Sequence, residues 1–207
     1  MKMKHASLIY TLVFLTGLAL FGQSIYITTK AQLAQYLISS AWESRPAGQA
    51  ALKAWPWADT YSVAKIEVPH LAIEQYVMND ASGESLAFGP GHLPNSALPA
   101  DRGHSMIAGH RDSHFDFIQH LQIGDDIVIS NFKGDSIAYR VTNTHIMNAF
   151  EERLVLDNDS DMLSLITCYP FDSLTTNGPL RWIVEATPIA TEEENLITHQ
   201  SKYLVQD

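Results

Sequence analysis

The chain has 207 residues, of which 46% are apolar, and a formal net charge of -10 at pH 7. That length accommodates one folded domain of ordinary size with an extension. The negative charge argues against nucleic acid or an acidic membrane surface as the partner, because either would repel the average protein surface. The expected partners are therefore proteins, peptides or small molecules. The chain has one cysteine, which cannot form an internal disulfide and does not indicate a cellular compartment.

An apolar segment lies close to the N-terminus. Residues Ala6 to Ile27 include no charged side chain, and as a helix they would be about 33 Å long, enough to cross a bilayer core. Lys2 and Lys4 precede this segment, which favours a cytoplasmic N-terminus with the rest of the chain outside. A cleaved signal peptide is the alternative, but its apolar region is normally shorter and ends in small residues. We predict that residues 1–29 form a retained membrane anchor.

Residues 30–60 are predicted to form a stalk between the anchor and the domain. The first half of this segment favours a helix, and Pro46 then interrupts the pattern. A second short helix is expected between Ala50 and Trp55. The indole rings of Trp55 and Trp57 either pack on the domain or lie at the membrane interface, and the sequence does not choose between these positions.

From Tyr61 onward the chain consists of short runs of β-branched and aromatic residues, separated by Gly, Pro, Asn and Asp. Such runs predict β-strands. The candidate strands are Ser62 to Val68, Ile73 to Val77, Ser105 to Ala108, Asp126 to Ser130, Ser136 to Met147, Leu163 to Cys168 and Leu180 to Ala186. One helical turn is predicted at His114 to Leu121. A mostly β domain of short strands, over residues 61–188, favours a closed barrel or a sandwich, and residues 189–207 are predicted to be a surface extension.

The single cysteine, Cys168, ends an apolar run that begins at Leu163. Pro170 follows it closely and cannot donate to a strand ladder, so Cys168 is expected at the C-terminal end of a strand. Taken alone, the residue is as well explained by a small buried apolar side chain as by a reactive thiol. A nucleophilic thiol also needs a stabilised thiolate, a group that handles protons and donors for an oxyanion.

Two further residues offer those functions. His110 follows the predicted strand Ser105 to Ala108, and Gly109 lets the backbone turn before it. Arg181 enters an apolar strand, where an unpaired charge is unfavourable to bury, and a guanidinium group can stabilise a carboxylate, a thiolate or an oxyanion. Each residue alone is more often an ordinary surface or core residue, so the interpretation depends on the three occurring together.

The local sequences around these residues match the motifs of one known family. The run Ser164-Leu165-Ile166-Thr167-Cys168 corresponds to Thr-Leu-x-Thr-Cys, with Ser in place of the first Thr. His110 lies in a Gly-His-Arg context, Arg181 follows the cysteine by thirteen positions, and the loop from Phe88 to Pro99 and the residues after Cys168 match as well. From Tyr61 to Ala186 the chain resembles the sortases, which are membrane-anchored cysteine transpeptidases of bacterial surfaces. The resemblance is greatest to class D and to the class found in Gram-negative marine bacteria.

The resemblance implies a closed eight-stranded β-barrel with His110, Cys168 and Arg181 at one end of a groove. It implies that Cys168 attacks the Thr-Gly carbonyl of a Leu-Pro-x-Thr-Gly-like sorting signal on a secreted protein and forms a thioacyl enzyme. His110 would protonate the leaving amine and deprotonate an accepting amine of the cell envelope or of another protein, while Arg181 would hold the substrate or its oxyanion. No metal or cofactor is required. The implied location is the inner membrane, crossed once, with the catalytic domain in the periplasm.

Some alternatives stay open on the sequence. Water in place of the amine would make the chain a hydrolytic cysteine peptidase, and an unreactive Cys168 would make it a membrane-tethered β-barrel binding module. The stalk is either a spacer or a lid that covers the groove. A calcium loop at Asp157 to Asp161 is set aside, because Met162 stands where such a loop needs glycine. His110 and His114 lack a third metal ligand at helical spacing.

Overall fold

A computed structural model describes residues 2–46, 52–157, 160–173 and 178–189. Within these ranges the chain has a helix, α1, and eight strands that form a closed barrel. The helix α1 spans Lys2–Glu43, and the strands are β1 (Ser62–Val68), β2 (Ile73–Met78), β3 (Gly91–His92), β4 (His104–Ala108), β5 (Asp126–Asn131), β6 (Ser136–Asn148), β7 (Met162–Cys168) and β8 (Leu180–Pro188). Short 3-10 helices occupy Pro69–Leu71, Ser85–Ala87 and Asp116–His120.

The barrel closes in the order β1-β2-β3-β4-β7-β8-β6-β5. The pairs β2–β3 and β4–β7 are parallel, and the other neighbouring strands are antiparallel. The predicted closed barrel is confirmed, and each predicted strand is present with its ends shifted by at most two residues. Strand β3 was not predicted, because two residues are too few to show an alternating pattern. The predicted helical turn is confirmed as the 3-10 helix Asp116–His120.

Alternation along the strands places one set of apolar side chains inside the barrel. On β5, for example, Ile127 and Ile129 are fully buried, whereas Val128 between them is partly exposed. On β7 and β8 the inward residues include Leu163, Leu165 and Val184, each fully buried. The core therefore fills the barrel, and functional groups are left to its outer face and its ends.

Part of α1 is exposed and part of it packs on the barrel. The stretch Tyr10–Glu43 is long and apolar enough to cross a membrane, and its most apolar window is not buried by the protein. Further along, Ile38 is 4% exposed and packs with Tyr76 and Met78 of β2. Gln35 Nε2 donates to the backbone oxygen of Phe88 at 2.7 Å. The exposed apolar part of α1 is thus continuous with a segment that contacts the barrel.

The two tryptophans after α1 have different surroundings. The Trp55 ring packs edge-on against Phe88, with 5.3 Å between the ring centroids, whereas Trp57 is 79% exposed. The short helix expected at Ala50 to Trp55 is wrong for its described part, because residues 52–55 are not helical. So short a helix is marginal in water, and here Trp55 lies against the barrel in an irregular segment. The remainder of that helix and the predicted extension from residue 190 lie outside the described residues.

Candidate active site at one end of the barrel

The cysteine and the arginine singled out from the sequence face each other across two strands. Cys168 ends β7, and its Cα partner on the antiparallel strand β8 is Arg181. Such partners lie about 4.5–5.5 Å apart at the Cα atoms. Two residues before Cys168, Ile166 belongs to an apolar cluster on the outer face, together with Ile183 of β8. Because side chains two residues apart share a face, Cys168 and Arg181 also lie on the outer face. Cys168 is partly exposed.

His110 lies at the same end of the barrel, on the other side of Cys168. Strand β4 runs parallel to β7, with Ala108 opposite Ile166. Beyond the last pair, the N–H of Gly109 donates to the backbone oxygen of Ile166 at 3.0 Å, and Thr167 Oγ1 donates to the oxygen of Gly109 at 2.6 Å. These bonds attach the backbone before the exposed His110 to the residues before Cys168. The structure therefore brings all three candidate residues to one end of the barrel.

Gly109 is required by a close approach of an aromatic ring. A Cβ atom at this position would lie 2.5 Å from Cγ of Phe115, a side chain that is fully buried in the core. The N–H of Phe115 also donates to the backbone oxygen of His110 at 2.9 Å. The turn that presents His110 is thus packed directly on the barrel core, which holds the imidazole on a rigid support.

Two arginines hold the connection between β7 and β8. Arg111, next to the histidine, is 8% exposed, and its Nη2 donates to the backbone oxygen of Ser173 at 2.7 Å. Arg181 Nη1 donates to the backbone oxygens of Gly178 and Leu180, at 2.7 and 2.9 Å. The Gly-His-Arg context included Arg111, but no feature of the local sequence indicated a structural role for it.

His114 is a second histidine close to the site. Burial lowers its pKa, the Ala87 carbonyl opposes that effect, and a positive charge on His110 lowers the pKa further. Its Nδ1 lies 3.2 Å from Oε1 of Gln75. These influences favour a neutral His114 next to His110. From the sequence, His114 was considered only as a metal ligand. Among the described residues there is no group of three or more His, Cys, Asp or Glu side chains placed to hold a metal ion.

A buried apolar cluster lies on the outer face of the barrel next to Cys168, and we call it the apolar floor. It is formed by Met106 of β4, Ile166 of β7, Ile183 of β8 and Met147 of β6. Two leucines from the connections pack against it, Leu93 after β3 and Leu156 before β7. The reactive groups proposed above thus stand at one end of an apolar strip bordered by two loops.

The comparisons with known proteins all point to the same family. A sortase domain model matches residues 66–189. Sortase D of Bacillus subtilis (strain 168) is 29% identical over 120 residues, so this chain spans 60% of that relative's length, through 58% of its own. The structure of a Clostridium perfringens sortase D5 transpeptidase superposes with a TM-score of 0.54 and 25% identity, covering 62% of this chain and 79% of that one.

A further structure shares the fold. Sortase A from Corynebacterium diphtheriae superposes with a TM-score of 0.57 at 21% identity and covers 80% of this chain and 85% of its own. At that identity the likeness concerns the barrel architecture alone. The sortase domain model, by contrast, matches more than half of this chain in sequence. Sortases are cysteine transpeptidases that act at the cell surface. This chain belongs to the sortase family.

Proposed function

We propose that this protein is a membrane-anchored sortase that cleaves a Leu-Pro-x-Thr-Gly-like sorting signal and transfers the acyl part to an amine. The observation that carries the proposal is the pairing of Cys168 with Arg181, with His110 attached to the neighbouring strand by the Gly109 bonds. The family match over residues 66–189, which include all three side chains, supports it.

In the first step the thiolate of Cys168 attacks the carbonyl carbon between Thr and Gly of the signal. The carbon–nitrogen bond breaks, the amine leaves with a proton from His110, and a thioester with Cys168 forms. In the second step an amine attacks the thioester and gives a proton to His110, which regenerates the thiolate and the new amide. One imidazole serves both steps because it is protonated in the first and deprotonated in the second.

Arg181 is proposed to hold the carbonyl oxygen that becomes negative in both steps. Its Nη1 already donates to two backbone oxygens, which fixes the direction of the guanidinium. A guanidinium has five N–H donors, and among the described residues none accepts from Nε or Nη2 of Arg181. Those donors are available for a substrate oxygen, where a preorganised charge stabilises the transition state.

The proposed organisation is an anchor (1–29), a stalk (30–60), the catalytic barrel (61–188) and a C-terminal extension (189–207). The candidate membrane helix supports the anchor, and a substrate that carries its own membrane segment would meet the enzyme at raised effective concentration. We further propose a subclass close to class D and to the Gram-negative marine sortases. The catalytic domain would then face the periplasm from the inner membrane.

The test uses the full chain in detergent micelles, because part of α1 packs on the barrel. Quenched peptides with Leu-Pro-x-Thr-Gly variants are incubated with and without an amine acceptor, for the wild type and for Cys168→Ala. We expect cleavage with ligation of the amine, together with an acyl adduct on Cys168 that the variant lacks. Cleavage unaffected by the amine would instead identify a hydrolytic peptidase. Absence of an adduct, with Cys168 unreactive toward thiol reagents, would overturn the proposal in favour of a binding module.

A further inference from the structure

A buried histidine joins the β6–β7 connection to the strands β4 and β7. His104, the first residue of β4, is 3% exposed. The backbone N–H of Asp157, 53 residues away in the β6–β7 connection, donates to Nδ1 of His104 at 3.2 Å. The other ring nitrogen, Nε2, lies 2.8 Å from Oγ of Ser164 on β7. We call His104, Asp157 and Ser164 the histidine latch.

A second pair of contacts joins the same two parts of the chain. The N–H of Gly103 donates to Oδ1 of Asp161 at 2.6 Å, and Arg102 Nε lies 2.9 Å from the other carboxylate oxygen. The Arg102 side chain is 86% exposed, so water screens its ion pair. The β6–β7 connection is therefore held at Asp157 by the latch and, closer to β7, at Asp161.

The latch lies along the groove, at a distance from the reactive thiol. Ser164 and Cys168 are four residues apart on one strand and share the outer face, which corresponds to about 13 Å. Leu156, the neighbour of Asp157, packs on the apolar floor between them. Fixing the backbone of Asp157 thus keeps Leu156 in place over the floor, as a wall for an extended peptide that reaches Cys168.

The hydrogen bonds determine the protonation state of His104. A backbone N–H can only donate, so Nδ1 must accept from Asp157 and carries no proton. The ring proton of the neutral imidazole is then on Nε2, which donates to Ser164 Oγ. A second proton would have to bind at Nδ1, where it would face the N–H of Asp157 and remove that bond.

We propose that His104 is a positioning residue whose neutral form holds the β6–β7 connection over the groove, and whose protonation releases this wall and weakens binding of the sorting signal. The identity of the ligand as a sorting signal rests on the proposed function, whereas the release of the β6–β7 connection is independent of it. No other group in the latch titrates as an imidazole does, because its partners are a backbone amide and a hydroxyl.

The surroundings of His104 agree with a neutral ring. Burial lowers its pKa, and the carboxylates of Glu185 on β8 and of Asp157 oppose that effect in part. Asp161 and Arg102, which also join the two parts of the chain, pair with each other. Because the pKa is lowered in the latched form and returns toward its ordinary value on release, acidification favours the released form.

Hydrogen–deuterium exchange of the full chain in detergent tests the release. Peptides covering residues 149–157 are compared at about pH 8 and about pH 5.5, after correction for the intrinsic exchange rate. In the wild type we expect the corrected exchange rate to rise about fivefold on acidification. In His104→Asn, whose side-chain oxygen can accept from Asp157 without titrating, the rate should stay constant. Exchange that responds to pH equally in both proteins would overturn the proposal.

Peptide binding is the second measurement, made in a Cys168→Ala background so that no chemistry follows. The probe is a fluorescent Leu-Pro-Ala-Thr-Gly peptide, and its dissociation constant is measured by anisotropy at both pH values. We expect the affinity to fall about fivefold more on acidification with His104 present than with His104→Asn. Since His110 is present in both proteins, any contribution it makes is common to both and cancels in the comparison.

The control variant replaces a histidine that is not part of the latch. His120→Asn removes an exposed histidine outside the latch and should behave as the wild type in both measurements. An equal loss of affinity in the His104 and His104→Asn proteins would overturn the effect on binding. A peptide that binds neither protein would contradict the proposed substrate, and the exchange experiment would still decide whether His104 holds the connection.

Discussion

Arg181 lies beside Cys168 because the register of β7 and β8 pairs them, although thirteen positions separate them in the sequence. The same holds for His110, which reaches the site through the bonds of Gly109 to β7. Replacing Arg181 is expected to affect the chemistry, whereas adding a Cβ at Gly109 is expected to affect both folding and activity.

Arg181→Ala should lower kcat/KM for peptide cleavage about 10²-fold, because the variant loses preorganised donors to the developing oxyanion. Arg181→Lys keeps the charge but not the planar fork, and should recover only part of the loss. Steady-state kinetics measures both, with Arg140→Ala as the control, since that exposed arginine pairs with Asp126 away from the site. Full activity of Arg181→Ala would contradict the proposed role.

Gly109→Ala should lower both stability and activity. The added Cβ would meet the Phe115 ring at 2.5 Å, and such overpacking destabilises by about 1–3 kcal/mol. The displaced turn would also move His110. Chemical denaturation and peptide cleavage give the two readouts. Gly83→Ala is the matched control, because a Cβ there meets no atom within 4 Å, and comparable losses in both variants would contradict the packing argument.

At the scale of the element, α1 is one continuous helix whose apolar first part is exposed and whose later part packs on the barrel. Its apolar composition predicted a span, but nothing in the sequence marked Ile38 as a residue that contacts β2. Helical periodicity identifies which residues share a face and does not name the surface that covers them. The barrel strands, in contrast, were predictable, because runs of β-branched and aromatic residues bounded by Gly, Pro, Asn and Asp are a local signal.

Ile38→Ala should destabilise the full chain by about 2–4 kcal/mol, the range for large-to-small substitutions at buried sites. The side chain is 4% exposed and packs with Tyr76 and Met78. Thermal unfolding in detergent measures the loss. Leu33→Ala, on the same helix and 55% exposed, is the control and should have little effect. Equal melting temperatures for Ile38→Ala and the wild type would show that α1 does not stabilise the barrel.

For the whole molecule, buried histidines should make stability depend on pH. Burial lowers the pKa values of His92, His104 and His114 below that of an unfolded histidine, although backbone acceptors or carboxylates oppose the effect. The unfolded chain therefore binds more protons as the pH falls, so this stability is present above the ordinary histidine pKa and is lost on acidification.

Urea denaturation at about pH 7.5 and about pH 5 should show a lower free energy of unfolding at the acidic pH. Hydrogen bonds to Ser82 lower the pKa of Asp80, so this carboxyl titrates below the pH range of the experiment. A variant with His104→Asn should lose less stability than the wild type between the two pH values. Equal losses would mean that His104 does not contribute.

The sequence by itself determined the secondary-structure elements and the candidate reactive residues at the ends of the strands. Runs of β-branched and aromatic residues between turn residues predicted the strands, a charge-free run predicted a long apolar helix, and the motifs around Cys168, His110 and Arg181 indicated the family. These features are local, because each follows from the burial or chemistry of residues within a few positions of one another.

Only the tertiary structure decided which of these elements meet. The parallel pairing of β4 with β7, the two-residue strand β3, the docking of Ile38 on β2 and the bond between His104 and Asp157 all join distant parts of the chain. Strand order and register arise from closing the barrel around one core, and a local pattern does not encode them. That closure is the physical reason why three residues recognised separately lie at one end of the barrel.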